Sequence, residues 1–416
     1  MFVPMMNPMN MIQNNNINNI NQNVPDPGQK PIINNTIISN IKDASFYNLT
    51  LQALSSLKYI NIWINLWNNN KQKLFIDNNL KITKEIFILY SALYTKQIPD
   101  SSNFILNYNN KVKEYYQGNI NNAIDFLYYL IKIIHIENNY PPNPNQNMEA
   151  LNHLQLYQKI NDDYVRNLFT NLLKQSQKSI ISTYFYTVLR CKFNCKNCPI
   201  NNQITYAYYY KYMLKFYIND YYRYRNQSEP DKKQMKLTLD KCFECYTGGY
   251  KCKCQICGNP STDYYYSIYS VSKILVIGLI RNNHCFLNDL DFPNILDINP
   301  YCKAGNYSGM KYSLKACISL NNENKYFSDI YLGNYWFRFY QNQCSMLSDV
   351  GKDIKTFEPQ ILIYELNENN NNNNINMSQM QQVQQVNPMF SAIHMSNMNF
   401  NMMMPGYGFQ GIPGFK

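Results

Sequence analysis

Eight of the twelve cysteines fall between residues 191 and 257, and six of them form the units Cys195-Lys-Asn-Cys198, Cys242-Phe-Glu-Cys245 and Cys254-Gln-Ile-Cys257. Two thiolates two residues apart can grip one tetrahedral zinc ion across a tight turn, with Zn–S bonds of about 2.3 Å. Cysteines used only as small apolar side chains have no reason to repeat this spacing. The pairs Cys195/Cys198 and Cys254/Cys257 lie much farther apart than the roughly 12–15 residues inside a compact finger. They are therefore expected on two hairpins stapled by one ion. Four thiolates leave no position for a catalytic water, so such a zinc is structural. A second site drawn from Cys191, Cys242, Cys245 and Cys252 stays open as an alternative.

The remaining composition narrows the class. The chain has 416 residues, 45% of them hydrophobic and 16% charged, which is enough apolar material for one large core or two modest ones. Its formal net charge of +11 is spread along the sequence rather than gathered in a block, and implies only a mild attraction to acidic surfaces. No run of about 18 apolar residues suggests a membrane span, and the Met/Asn-rich start lacks the basic-then-apolar order of a signal peptide. A cytoplasmic and/or nuclear location is expected, where cysteines are thiols or metal ligands rather than a disulfide framework. No glycine-rich phosphate loop appears.

Residues 1–30 and 367–416 are dominated by Met, Asn, Gln and Pro without helical or strand periodicity, and read as disordered tails around a folded body over 31–366. Within that body, 44–66 places Leu51, Leu54, Leu57 and Ile60 at helical spacing, and 119–136 does the same with Ala123, Phe126, Leu127, Leu130 and Ile134. A further helix is expected over 162–174. From about 180 the texture turns to β-branched and aromatic runs: ISTYFYTVL, QITYAYYYKY, DYYYSIYSV, KILVIGLI, YSLKACISL, YWFRFY and QILIYEL. Helices first and strands after is an α+β layout.

These stretches, taken in order, resemble the ubiquitin-specific protease family, whose papain-like cysteine protease fold has a helical thumb, zinc-bearing fingers and a β-rich palm. The family's nucleophile box is similar to Asn40-Ile-Lys-Asp-Ala-Ser45-Phe46-Tyr47-Asn48-Leu-Thr-Leu51-Gln52-Ala-Leu54. Its Gln-Asp-Ala-x-Glu-Phe-Leu resembles Asn121-Asn122-Ala123-Ile-Asp125-Phe126-Leu127, and its Leu-Phe before the first Cys pair resembles Leu168-Phe169. The core strand looks like Val271 to Asn282, followed by Asp291-Phe292-Pro293. The approach to the histidine box looks like Tyr312-Ser-Leu314-Lys-Ala316-Cys317-Ile318, with Trp336 and Ile361-Leu362-Ile363-Tyr364 after it. The resemblance covers about 37–366. It implies a thumb over about 37–178, fingers over about 179–262, a palm over about 263–366, and zinc on Cys195, Cys198, Cys254 and Cys257.

At the positions the family uses for catalysis, this sequence departs. Ser45 stands where the nucleophilic cysteine is expected, Lys325 at the histidine, and Gln341 or Asn342 at the acidic or amide partner. Asn40 keeps the oxyanion position, whereas Lys42 replaces the loop glycine. The four histidines are His135, His153, His284 and His394, so no shift of alignment supplies an imidazole between 285 and 393. A thiol protease needs a thiolate, a nearby base and oxyanion donors. Cys317 falls in a core strand, and His284-Cys285 reads as a loop. The expectation is a catalytically inactive domain that binds ubiquitin or a ubiquitin-like protein, or serves as a scaffold for protein partners.

Two alternatives remain. One is a divergent active deubiquitinase using a neutral Lys325 as base, which burial would have to favour. The other is a zinc-containing, RNA-associated scaffold, for which the tyrosines of 184–225 interleaved with Lys and Arg are the sequence feature. The resemblance supports nucleic acid only indirectly. A sheet with one packed and one solvated face explains the same tyrosines.

Overall fold

The computed structural model describes residues 45–367 except 70, 78, 96, 98, 117–119, 139–178, 197–203, 219–236, 253, 255–256, 260–261, 282–289, 303–309, 322, 342, 349–353 and 355–356. All of them belong to the unit Met1–Asn367. The expected tails apart from Asn367, the helix at 162–174 with Leu168-Phe169, Asn40, Cys198, His284-Cys285 and Asn342 lie outside the described residues, as does the side chain of Ser45.

Six helices come first: α1 Ser45–Ser55, α2 Lys58–Asn68, α3 Lys71–Ile76, α4 Lys81–Tyr94, α5 Ser102–Tyr116 and α6 Ala123–Asn138. The leucines and isoleucines predicted from spacing are buried. The single helix expected over 44–66 is two. Ser55 and Ser56 hydroxyls bond back to the Gln52 and Ala53 carbonyls, both at 2.7 Å, and Leu57 turns extended at ψ 134°. Serine hydroxyls competing for helix carbonyls favour such an end.

Neither α2 nor α4 has a side-chain cap of its own, because Leu57 and Leu80 stand at their N-cap positions. Carboxylates from other elements take the exposed N–H groups instead. Glu137 of α6 accepts from Ile82 and Thr83 N–H at 2.9 and 2.7 Å, and from the Thr83 hydroxyl at 2.8 Å. Buried Glu365 accepts from Tyr59 N–H at 3.4 Å across 306 residues of sequence.

A short helix, α7 Ile180–Phe185, follows where the sequence reading expected the start of a strand. Ser179 accepts from Ser182 N–H at 3.1 Å while Ser182 Oγ accepts from Ser179 N–H at 2.9 Å. This reciprocal capping box outweighs the β preference of ISTYF.

One antiparallel sheet comprises β1 Thr187–Asn194, β2 Ile204–Lys211, β5 Gly249–Cys252 and β6 Thr262–Ser270, in the order β2-β1-β6-β5. Asn194 lies opposite both Ile204 and Asp263, and Cys252 opposite Thr262. The β1–β2 and β5–β6 connections therefore leave the sheet at the same end.

The larger sheet contains β3 Leu214–Tyr217, β7 Ile274–Ile280, β9 Ile295–Asp297, β10 Lys311–Leu320, β11 Tyr326–Leu332, β12 Tyr335–Tyr340, β13 Gln343–Met346 and β14 Glu358–Leu366. Its order is β13-β12-β11-β10-β14-β7-β3, with β9 beside β10. All pairings are antiparallel except β3 with β7. A two-stranded pair joins β4 Leu237–Thr238 to β8 Leu290–Asp291.

The run ILVIGLI in β7 is nearly all apolar because both faces of the sheet are covered. Ile274 and Val276 point with Ile361 and Ile363 into the cluster shared with α1, α4 and α6. Leu275, Ile277 and Leu362 point into the opposite cluster, with Leu239 and Phe243 of α8 Leu239–Tyr246. Gly278 falls on the first face. A Cβ there would meet buried Met213 Sδ at 2.9 Å and Ile124 Cγ2 at 3.1 Å. Gly278→Ala is expected to lower stability by about 1–3 kcal/mol in urea unfolding, an overpacking cost. Adding Met213→Ala should return part of that loss.

Candidate functional site

The packing of α1 against β10, β11 and α6 brings together three motif positions that are distant in sequence. The Phe46 ring, next to Ser45, lies 5.6 Å from the ring of Tyr326 and 6.2 Å from that of Phe126. Ala123 N–H, at the start of α6, donates to Tyr326 Oη at 3.5 Å. The backbone of Ser45 therefore opens α1 close to where Lys325 leads into β11. This junction between helices and sheet is the candidate cleft. Asp125 is held at its edge: Asn122 Oδ1 accepts its N–H, and Asn122 Nδ2 donates to Asp125 Oδ2, both at 2.8 Å.

Lys325 ends a tight turn. Asn321 Oδ1 accepts the N–H groups of Glu323 at 3.0 Å and Lys325 at 2.9 Å, and Asn324 takes a left-handed φ of 57°. The Lys325 ammonium is 50% exposed and donates to Glu323 Oε2 at 2.7 Å. That hydrogen bond and charge hold its pKa above the ordinary lysine value. An amine so placed keeps its proton at neutral pH, the reverse of the burial that would make it a base. Gln341 turns the chain from β12 to β13 at φ 44°.

His135 is the one histidine among the described residues, and it is buried. Its Nδ1 lies 2.5 Å from Ser179 Oγ and its Nε2 lies 3.1 Å from Tyr186 Oη. Twelve residues along α6 from Ala123 amounts to roughly 18 Å, so this imidazole is tied into the core far from Ser45. Cys317 is fully buried, and burial pushes its thiol up to about 12.

The cysteine constellation gathers at the shared end of the four-stranded sheet. The sulfurs of Cys195, Cys254 and Cys257 all lie within 4.8 Å of one another, and Cys195 Sγ is 3.5 Å from Cys257 Sγ. Two sulfurs on one tetrahedral zinc sit about 3.8 Å apart, so these soft donors have the spacing to share a cation. Gly258 N–H donates to the Cys254 carbonyl at 2.9 Å and Cys254 N–H to the Asn259 carbonyl at 2.7 Å, curling the loop around Gly258 at φ 73°. Asn259 Nδ2 reaches toward Cys195 Sγ at 3.9 Å. Gly258 and Asn259 went unread in the sequence, although a glycine directly after the second cysteine was available as a turn signal.

The other Cys-x-x-Cys unit behaves differently. Cys242 and Cys245 lie on α8 and pack into the apolar cluster around Phe243. Burial pushes the Cys242 thiol up to about 12, with Cys245 adding to the rise. Among the described residues, they do not join a group of three metal-binding side chains.

The family model described as ubiquitin carboxyl-terminal hydrolase matches residues 37–364. No curated protein matches the chain significantly. Among solved structures, a yeast SAGA DUBm with a mutant Sgf73 is 18% identical, with 83% of this chain and 71% of the other covered at a TM-score of 0.56. The SAGA DUB module Ubp8/Sgf11/Sus1/Sgf73 bound to monoubiquitin is 16% identical, covering 85% of this chain and 74% of that one at 0.57. The same module bound to ubiquitin aldehyde is 16% identical, covering 82% and 71% at 0.56. At these identities the likeness shows the fold, the papain-like α+β architecture expected from the motifs. Together with the match over nearly all of the described residues, it places the chain in the ubiquitin carboxyl-terminal hydrolase family, among the ubiquitin-specific proteases.

Proposed function

We propose that this chain is a catalytically silent ubiquitin-specific protease domain that binds ubiquitin or a ubiquitin-like protein and organises protein partners. The reading takes 31–366 as the domain, with thumb, fingers and palm divided near 178 and 262, and the terminal tails outside it. Lys325 carries the argument: an exposed, ion-paired ammonium stands where the reaction needs an imidazole. The Ser45 hydroxyl is far less acidic than a thiol, and the sequence places no histidine between 285 and 393 to activate it. Gln341 or Asn342 has no imidazole to orient, and Asn40 is left without an oxyanion to stabilise.

Zinc on Cys195, Cys254 and Cys257, with Cys198 as fourth ligand, is the cofactor this reading assigns. The donor set fits a closed, structural site. The similarly folded Ubp8 modules bound to monoubiquitin and assembled with Sgf11, Sus1 and Sgf73 support ubiquitin and protein partners.

Ubiquitin propargylamide tests the silence, read by intact mass. The expected result is no adduct, together with saturable binding of labelled monoubiquitin by the same preparation. Covalent capture on Ser45 or on any cysteine would overturn the inactive reading, and a flat titration would remove ubiquitin as the ligand.

A further inference from the structure

Three lysines from three elements crowd one tyrosine-rich corner: Lys132 on α6, Lys211 at the end of β2 and Lys215 on β3. Lys215 Nζ lies 4.2 Å from the centre of the Tyr128 ring. Lys132 Nζ lies 5.3 Å from that same ring and 4.4 Å from the ring of Tyr116. Two ammonium groups therefore share one aromatic ring. Contacts of this kind leave the positive charge in place.

None of the three lysines forms an ion pair with a described residue. Burial depresses the pKa of half-buried Lys132 and Lys215, whereas Lys211 is exposed. The charge of Lys215 depresses Lys132 further, and that of Lys211 acts on Lys215. Asp125 opposes this at Lys215 more strongly than Lys211 contributes to it, and its hydrogen bond from the neutral Asn122 amide leaves its charge in place. The Tyr116 hydroxyl adds a buried donor with no partner. Holding like charges together in partly desolvated positions costs stability, which methionine or leucine would avoid. Among the described residues Asp125 is the carboxylate that acts on these three ammonium groups, so the corner keeps a net positive charge.

We infer that this corner is a docking site for a carboxylate-rich segment of a partner protein. Charge complementarity supplies the attraction, and the lysine N–H groups supply donors for carboxylate oxygens. Nucleic acid fits less well. Single-stranded chains gain most of their affinity by stacking bases on open aromatic faces. Here the Tyr128 and Tyr116 rings are covered by ammonium groups, and Tyr116 also packs on Tyr129 at 4.5 Å between centroids. The inference stands whether or not the cleft hydrolyses ubiquitin.

Fluorescein-labelled hexaglutamate titrated into the full chain at low ionic strength is the test, with hexaglutamine, oligouridylate and inorganic phosphate for comparison. Saturable binding of hexaglutamate but not hexaglutamine is expected. It should weaken at least about tenfold in the double variant Lys132→Met, Lys215→Met and remain unchanged in Lys251→Met. The melting temperature of the double variant should equal or exceed that of the wild type, because a desolvated repulsion has been removed. No hexaglutamate binding, equal affinity in the double variant, tighter binding of oligouridylate, or a fall in its melting temperature would each overturn the inference. Competition by inorganic phosphate as strong as by unlabelled hexaglutamate would also overturn it, by reducing the corner to a simple anion site.

Discussion

Cys257→Ser is expected to abolish the zinc binding proposed for this cysteine cluster and to open the end of the four-stranded sheet. Cys257 contributes one of three gathered sulfurs, and the turn it belongs to has no large apolar cluster behind it. Cys195, Cys254 and Cys257 form a small cluster of their own, separate from both main cores. In zinc-finger peptides the apparent binding free energy of a structural zinc is about 10–16 kcal/mol. Even a fraction of that rivals the roughly 5–15 kcal/mol by which a whole domain is stable. Zinc measured by plasma mass spectrometry should fall from about one per chain to near zero. Amide exchange should accelerate in β5 and at the Asn194 end of β1. Chelator should produce the same change in the wild type and none in the variant. A variant with full zinc content and unchanged exchange would remove the metal from this site.

Asp329→Ala should cost about 3–5 kcal/mol in thermal or urea unfolding, the penalty for leaving one member of a buried ion pair behind. Asp329 is fully buried and opposite Arg338 in the β11–β12 ladder. It accepts from Arg338 Nε at 2.7 Å and Nη2 at 2.8 Å. The guanidinium lies 4.6 and 4.9 Å from the ring centres of Phe327 and Phe357, which meet edge to face with centroids 4.7 Å apart. Without that carboxylate, the guanidinium loses its bidentate partner. Replacing both partners, as Asp329→Leu with Arg338→Met, should recover most of the loss. If the single and double variants unfold at the same denaturant concentration, the pair is not what holds this hairpin.

The α+β order was legible because helical spacing and β-branched runs are local properties. Leu51 through Ile60 and Ala123 through Ile134 were identifiable as core residues on that ground. The break between α1 and α2, and the helix at Ile180–Phe185, depend on where serine hydroxyls close a turn, which periodicity does not record. The α8 helix shows the limit of motif reading. Cys242-Phe-Glu-Cys245 has metal-binding spacing, but the same spacing lays both thiols on one helical face, and the core took them. At the positions the resemblance assigns to catalysis, the sequence supplied residue types and no geometry. The Lys325–Glu323 contact that settles the charge of the lysine arises from a turn only the fold reveals. The tyrosine-rich strands read as one packed and one solvated face, and that pattern concealed Lys132 arriving from a helix to join Lys215.

The carboxylate of Glu365 completes α2 from a strand that is nearly the last in the chain, and that strand lies between β10 and β7 in the larger sheet. On a ribosome, the first turn of α2 therefore goes without this carboxylate until the chain has grown 306 residues beyond Tyr59. Such long-range closure slows folding and leaves apolar segments uncovered during synthesis. Nascent chains stopped short of residue 366 are thus expected to depend on chaperones.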